Sequence, residues 1–179
     1  MDNNTLRLLV TKKCNRGCAK CVNKQFNFND IPVAEDYHLR FYDTIILTGG
    51  EPMYFFDRLL QFFYNVRGLN PSCKLFMYTA HLTFKTGVCS LLHGLDGLTV
   101  TLHSNEDIKN FMELAWMINY LGINNKSLRL NVFEEVTQFN PNRVFCDLGK
   151  WDIRMGIKWL DPCPMPKNED FMQWKELWI

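Results

Sequence analysis

The sequence predicts an α/β fold, an open and partial (β/α)6 barrel with mostly parallel strands, and three observations predict it. Six short apolar runs, rich in β-branched residues, recur at 6–11, 44–48, 74–79, 98–103, 127–133 and 154–160. Most are near-continuous in apolar residues rather than alternating, as suits parallel strands covered on both faces. Their starts are separated by 38, 30, 24, 29 and 27 residues, enough for one crossover each; such crossovers are right-handed. A complete eight-unit barrel needs about 200 residues or more, and this chain has 179. Six units therefore make a TIM-like barrel that stays open.

Between the strands, each helix has its own signal. Residues 32–42 have room for a short helix. Residues 54–66 form a clear one, with Phe55, Leu59, Phe62, Phe63 and Val66 at helical spacing. Gly68, followed by Asn70-Pro71, stops it. A weaker helical pattern at 82–92 is interrupted at Gly87. Ser104 or Asn105 is placed to cap a helix over 106–121, with Glu106 and Asp107 in its first turn. Residues 140–151 read as irregular. The run Asp161-Pro162-Cys163-Pro164-Met165-Pro166 suits neither a helix nor a central strand. A fixed loop is expected there, before a short amphipathic helix near 169–178. The chain reads as one domain over 1–179, with 161–179 a C-terminal loop and short helix closing the barrel.

Composition narrows the function. With 47% hydrophobic and 22% charged residues the chain can bury an ordinary core. Its net charge of +1 gives no electrostatic argument for nucleic acid or an anionic membrane. The first ten residues lack the basic region and long apolar core of a secretory signal. No apolar run approaches the roughly 18–20 residues of a membrane span. The expectation is a cytoplasmic protein with no membrane partner. Seven cysteines, an odd number in a reducing compartment, argue against a disulfide framework. Three of them cluster at 14, 18 and 21. Cys73, Cys89, Cys146 and Cys163 are scattered and read mostly as core.

The cluster lies in Thr11-Lys12-Lys13-Cys14-Asn15-Arg16-Gly17-Cys18-Ala19-Lys20-Cys21, directly after the first strand. Thiolates are soft ligands that select iron–sulfur clusters, zinc or copper. Three on one loop can hold three corners of a cubane and leave the fourth iron open to another ligand. Zinc is the competing reading. A structural zinc site wants four ligands, and a histidine or Cys163 would have to complete this one. A second motif, Thr48-Gly49-Gly50-Glu51-Pro52, follows the second strand. Its glycines allow close backbone approach to a ligand, and Glu51 can receive an ammonium group. By itself it is a turn with an acidic residue. In a parallel barrel, however, the loops after strands one and two lie side by side at the C-terminal face, where such folds place their sites.

Together, Cys14-x-x-x-Cys18-x-x-Cys21 and Gly49-Gly50-Glu51-Pro52 resemble the radical S-adenosylmethionine superfamily. The resemblance spans roughly residues 6–160, although its specific motifs occupy two loops. It implies a [4Fe–4S] cluster on Cys14, Cys18 and Cys21, and S-adenosyl-L-methionine chelating the open iron through its amino and carboxylate groups. Gly49, Gly50, Glu51 and Pro52 would contact the amino group. An electron from an external donor of flavodoxin or ferredoxin type would cleave the cofactor to methionine and a 5′-deoxyadenosyl radical. The radical would take hydrogen from a substrate that the sequence does not name. The family usually carries an aromatic residue just before the third cysteine, near the adenine; here it is Lys20.

Later strand ends offer further positions. Ser104 is placed where the family often contacts the ribose, and Asn131 on the fifth strand is a second position of this kind. The alternatives are a helix cap for Ser104 and a core hydrogen bond for Asn131. His103 and Tyr78, near strand ends, are candidates to touch substrate, or serve as structural hydrogen-bonders. Cys163 is placed to supply hydrogen, bind substrate or join Cys146 at a second cluster; otherwise it is a small buried residue. Trp151, Trp159, Trp174 and Trp178 read as core or interface. Two other functions stay open. One is an activase that installs a glycyl radical in a partner enzyme such as anaerobic ribonucleotide reductase, which the Cys21-Val22-Asn23 segment mildly resembles. The other is a non-enzymatic zinc or iron–sulfur interaction module.

Overall fold

The first strand sets the frame. In β1, Thr5–Thr11, Leu6, Leu8, Leu9 and Val10 are fully buried, so the strand is covered on both faces, as its apolar run requires. The computed structural model describes residues 4–18, 20–160 and 167–179. Along them run β2 (Val33–Ala34), β3 (Thr44–Gly49), α1 (Phe56–Leu69), β4 (Lys74–Thr79), α2 (Lys85–Leu92), β5 (Gly97–Leu102), α3 (Asp107–Tyr120), β6 (Ser127–Phe133), β7 (Trp151–Ile157) and β8 (Asp170–Trp178). The eight strands form one sheet in the order β2-β8-β1-β3-β4-β5-β6-β7. Every described pairing is parallel, and the sheet is not closed. The fold class is therefore α/β, with eight strands among the described residues where six were expected. None of the described helices is long and apolar enough to cross a membrane.

All six expected strands are present. The last is displaced by three residues, to Trp151–Ile157. Three expectations are corrected. The short C-terminal helix near 169–178 is instead strand β8. The spacing of Phe171, Trp174 and Trp178 is helical, but pairing with β1 and β2 satisfies the backbone of this segment and overrides local preference. The expected helix at 32–42 is the two-residue strand β2 followed by a 3₁₀ turn, Asp36–Arg40. Gly87 does not interrupt α2. It is buried, and a Cβ there would lie 2.2 Å from the Phe84 ring. The loop expected at 161–166 lies outside the described residues.

The chain divides into two compact units. The first comprises Met1–Met77 and Trp159–Ile179. Its helix α1 buries Leu59, Phe62, Phe63 and Val66, the stripe that the sequence pattern marks. Gly68 stays inside this helix, which stops at Asn70 before Pro71. The Asn70 side-chain amide then donates to Leu39 O at 3.2 Å and Tyr42 O at 3.0 Å. Strand β8 is tied in at both ends. Near its start, Arg7 Nε donates to Glu169 at 2.7 Å, and the buried Tyr42 hydroxyl donates to Asp170 at 2.7 Å. Burial, then the Asp170 carboxylate, pushes the Tyr42 phenol well above its usual range. In mid-strand, Gln173 Nε2 donates to Phe28 O and Ile31 O, both at 3.0 Å. At its end, Trp174 and Trp178 pack edge-on against Phe62.

The second unit is Tyr78–Lys158. In it α3 buries Phe111, whose ring meets Phe139 at 5.9 Å and Trp151 at 5.0 Å, both edge-on. The buried Asp107 accepts from the amides of His103 at 2.8 Å and Ser104 at 3.1 Å, and so fixes the turn between β5 and α3. Replacing Asp107 with alanine leaves two amides without their acceptor and should cost about 1–3 kcal/mol, read as a lowered urea midpoint at unchanged slope.

Candidate metal and cofactor site

The site begins where β1 and β3 end. The two strands are parallel neighbours, and Thr11 pairs with Gly49 after an irregularity beyond Leu9. The loops that follow are therefore adjacent, as the sequence leads one to expect. They are also bonded to each other. Gly50 N donates to Thr11 O at 2.6 Å, and Glu51 N donates to Lys13 O at 2.7 Å. The glycines make this approach possible. Gly49 sits at φ +129°, and a Cβ on it would lie 2.4 Å from Thr11 O; one on Gly50 would lie 2.1 Å from Lys13 O. The close approach that the glycine pair was read as giving a ligand is thus used, on this side, by the cysteine loop's own backbone.

Thr11 anchors the base of that loop. It is fully buried; its hydroxyl donates to Trp178 O at 2.7 Å and accepts from Lys13 N at 3.0 Å. The role of Thr11 depends on β8 returning beside β1, so its one local signal is that of a polar residue ending an apolar strand just before the cysteines.

Glu51 is buried and precedes a 3₁₀ turn, Pro52–Phe55; its Oε1 accepts from Met53 N at 3.1 Å. Pro52 occupies the first position of that turn, where no amide donor is needed. Tyr54, partly exposed, lies in the electrostatic range of Cys14 and Glu51.

The three cysteines share one short loop. Cys14 is exposed, and Cys18 and Cys21 are half-buried. The Arg16 amide donates to Cys14 Sγ at 3.4 Å, Cys21 N to Cys18 O at 3.4 Å, and Lys24 Nζ to Cys18 O at 2.8 Å. Burial pushes the Cys14 thiol up, and the Glu51 carboxylate and Cys21 add to the effect; the Arg16 amide and guanidinium oppose it. Burial likewise raises Cys18, followed by the charges of Cys21 and Cys14. Among the described residues, no three His, Cys, Asp or Glu side chains are gathered into a ready-made metal-binding group. The three thiols are electrostatic neighbours on one anchored loop. As a donor set they suit a soft metal centre: thiols alone, three in number.

The remaining sequence candidates are placed as follows. Tyr78 lies half-buried in β4, in the second unit. His103, Ser104 and Asn131 also lie in the second unit. The His103 ring is 4.7 Å from that of Phe133. The Ser104 hydroxyl bonds to Glu106 and lowers that carboxyl; the expected cap by Ser104 or Asn105 is corrected, because Glu106 holds the N-cap position of α3 with no side-chain cap bond and Asn105 Oδ1 accepts instead from Gln138 N. Asn131 sits in β6, in register with Thr101 and Arg154. Cys146 is half-buried against Met112 O, and Cys163 lies outside the described residues. Compared with known protein families and with characterised proteins, the sequence matches none.

Proposed function

We propose that the chain is a radical S-adenosylmethionine enzyme whose cluster-bearing residues are Cys14, Cys18 and Cys21. The observation that carries this reading is the double backbone clamp, Gly50 to Thr11 and Glu51 to Lys13. It joins a three-thiol loop to a Gly-Gly-Glu-Pro loop at adjacent parallel strand ends. Cys14, Cys18 and Cys21 would hold a [4Fe–4S] cluster there, and with S-adenosylmethionine it would supply one-electron reductive cleavage and, through it, hydrogen abstraction from substrate. This chain's residues supply the frame. Thr11 fixes the cysteine loop to the C-terminal strand, and residues 49–52 receive the cofactor's amino group. Anaerobic reconstitution with iron and sulfide tests the reading. It should give a brown protein with roughly four irons per chain and an EPR signal on reduction; a colourless protein that takes up zinc alone overturns it.

Two further results are expected. Glu51→Gln keeps an oxygen for Met53 N but loses the charge. It should weaken S-adenosylmethionine binding about tenfold with the thermal midpoint unchanged, whereas Glu51→Ala also loses the cap, at about 1 kcal/mol. The second result concerns pH. Burial raises the Cys14 and Cys18 thiols, and their protons must leave when metal binds. Iron retained against a chelator should therefore rise steadily as the solution is made more alkaline and fall as acid is added.

A further inference from the structure

The connection from β6 to β7 lacks the helix that its topology calls for. The two strands are parallel neighbours, and a parallel crossover is usually made by an α-helix. Residues 134–150 instead form a loop whose one regular piece is the 3₁₀ turn Pro141–Arg143. Loops beyond roughly 12–15 residues without a helix or strand are uncommon in compact units, and are usually either functional or disordered. This one is tied down. Gln138 N donates to Asn105 Oδ1 at 3.0 Å, Asn119 Nδ2 to Asp147 O at 2.6 Å, and Lys150 Nζ to Asn124 Oδ1 at 2.7 Å. Asn140 caps the 3₁₀ turn by accepting from Asn142 N at 2.9 Å, and Phe139 is buried with its ring edge-on to Phe111.

Between this loop and α3 lies a cavity of about 470 Å³, within the roughly 300–1,000 Å³ of small-molecule sites. Its chemistry is one-sided. Met112 and Phe139 are buried in its lining, and Phe145, in the same lining, is 74% exposed. Thr137 and Gln138 add neutral donors. Among the described residues, the one charged group in the lining is Arg143. It is exposed, and no described carboxylate pairs with it. The other described cavity is the contrast. Its lining sets Asp36 and Glu176 beside Arg58 and Lys175, and Lys175 pairs with Asp36, so its charges favour neither sign of ligand. In the cavity against α3 a cation meets repulsion from Arg143. A wholly polar anion leaves the apolar lining uncovered, and a neutral apolar molecule leaves the guanidinium to water.

We propose that this cavity binds a small organic anion with one carboxylate on an apolar body, the carboxylate on Arg143 and the body against Met112, Phe139 and Phe145. A guanidinium presents paired donors that match a carboxylate. The apolar body covers side-chain surface that the loop and α3 leave open to water. Both walls belong to the Tyr78–Lys158 unit, so the site is complete within it. Neither wall includes a residue of the thiol loop or of the segment 49–52, and the binding is independent of the cluster proposed above.

Octanoate is the probe. Titrated into the full ¹⁵N-labelled chain, it should give saturable amide shifts confined to Ile108, Met112 and residues 137–145. Octanol and octylamine, of the same chain length, should bind at least about tenfold more weakly. Arg143→Gln should weaken octanoate by about tenfold and bring it level with octanol. The thermal midpoint should not move, because this side chain is exposed. Arg143→Lys keeps the charge without the paired donors and should recover part of the loss. Arg58→Gln, at the other cavity, should leave octanoate binding as it is. Octanol binding as tightly as octanoate, or Arg143→Gln binding octanoate like the parent chain, overturns the proposal. So do shifts centred on the Arg58 cavity, shifts spread over the whole chain without saturation, or no shifts at all.

Discussion

Replacing Gly50 with alanine should lower the thermal midpoint by roughly 6–12 °C, the equivalent of about 3 kcal/mol in a chain of this size. The cause is steric and local. The new Cβ would lie 2.1 Å from Lys13 O and 2.6 Å from Lys13 C, and backbone atoms in a clamped loop cannot swing aside as a side chain can. Relief requires the two loops to separate, which lengthens the bonds from Gly50 N to Thr11 O and from Glu51 N to Lys13 O. Gly49→Ala should be at least as costly. There the overlap with Thr11 O at 2.4 Å adds to a φ of +129°, which a residue with a Cβ rarely adopts. Both variants should also load less iron, because the loop that moves carries Cys14. Gly68→Ala is the control. A Cβ there meets nothing within 4 Å, and in a helix it should be neutral or stabilising by up to about 1 kcal/mol. Differential scanning calorimetry of the three variants separates the sites.

Replacing Cys14, Cys18 or Cys21 singly with alanine should reduce iron from roughly four per chain to below about 0.5 and abolish 5′-deoxyadenosine formation. Stability without metal should hardly change, within about 0.5 kcal/mol, because Cys14 is exposed and the other two are half-buried. Cys89→Ala should behave in the opposite way. Cys89 is 3% exposed in α2, and burial pushes its thiol up, so it is an unreactive core residue. Its loss should cost about 1 kcal/mol in packing and leave iron content intact. A chain in which all four variants retain iron equally would not use the 14–21 loop as its metal site.

Much of the frame was legible because it rests on strong local signals. Runs such as 127–133 match strands to the residue: Leu128, Leu130 and Val132 are buried with half-buried Arg129 and Asn131 between them, the period-2 pattern of a pleated strand. The stripe Leu59, Phe62, Phe63 and Val66 is likewise the buried face of α1. What escaped was set by distant partners. Strand β8 has helical spacing of its large residues. Its strand state comes from insertion between β1 and β2, and the register with β1 jumps from Leu9–Gln173 to Thr11–Trp178. No local pattern encodes such a jump. That jump brings Trp178 O to the Thr11 hydroxyl. The Gly-Gly pair was visible as a site of close approach, but which atoms approach depends on β1 and β3 being neighbours. Glu51 was read as an ammonium receptor, and its place as the cap of the next turn follows from Met53 N lying two residues on.

The most direct measurement is the fate of S-adenosylmethionine on the reconstituted protein under dithionite, without oxygen. 5′-Deoxyadenosine and methionine should appear together in equal amounts, and neither should form with Cys14→Ala or Cys18→Ala. Intact S-adenosylmethionine over a protein that holds its full complement of iron would contradict it.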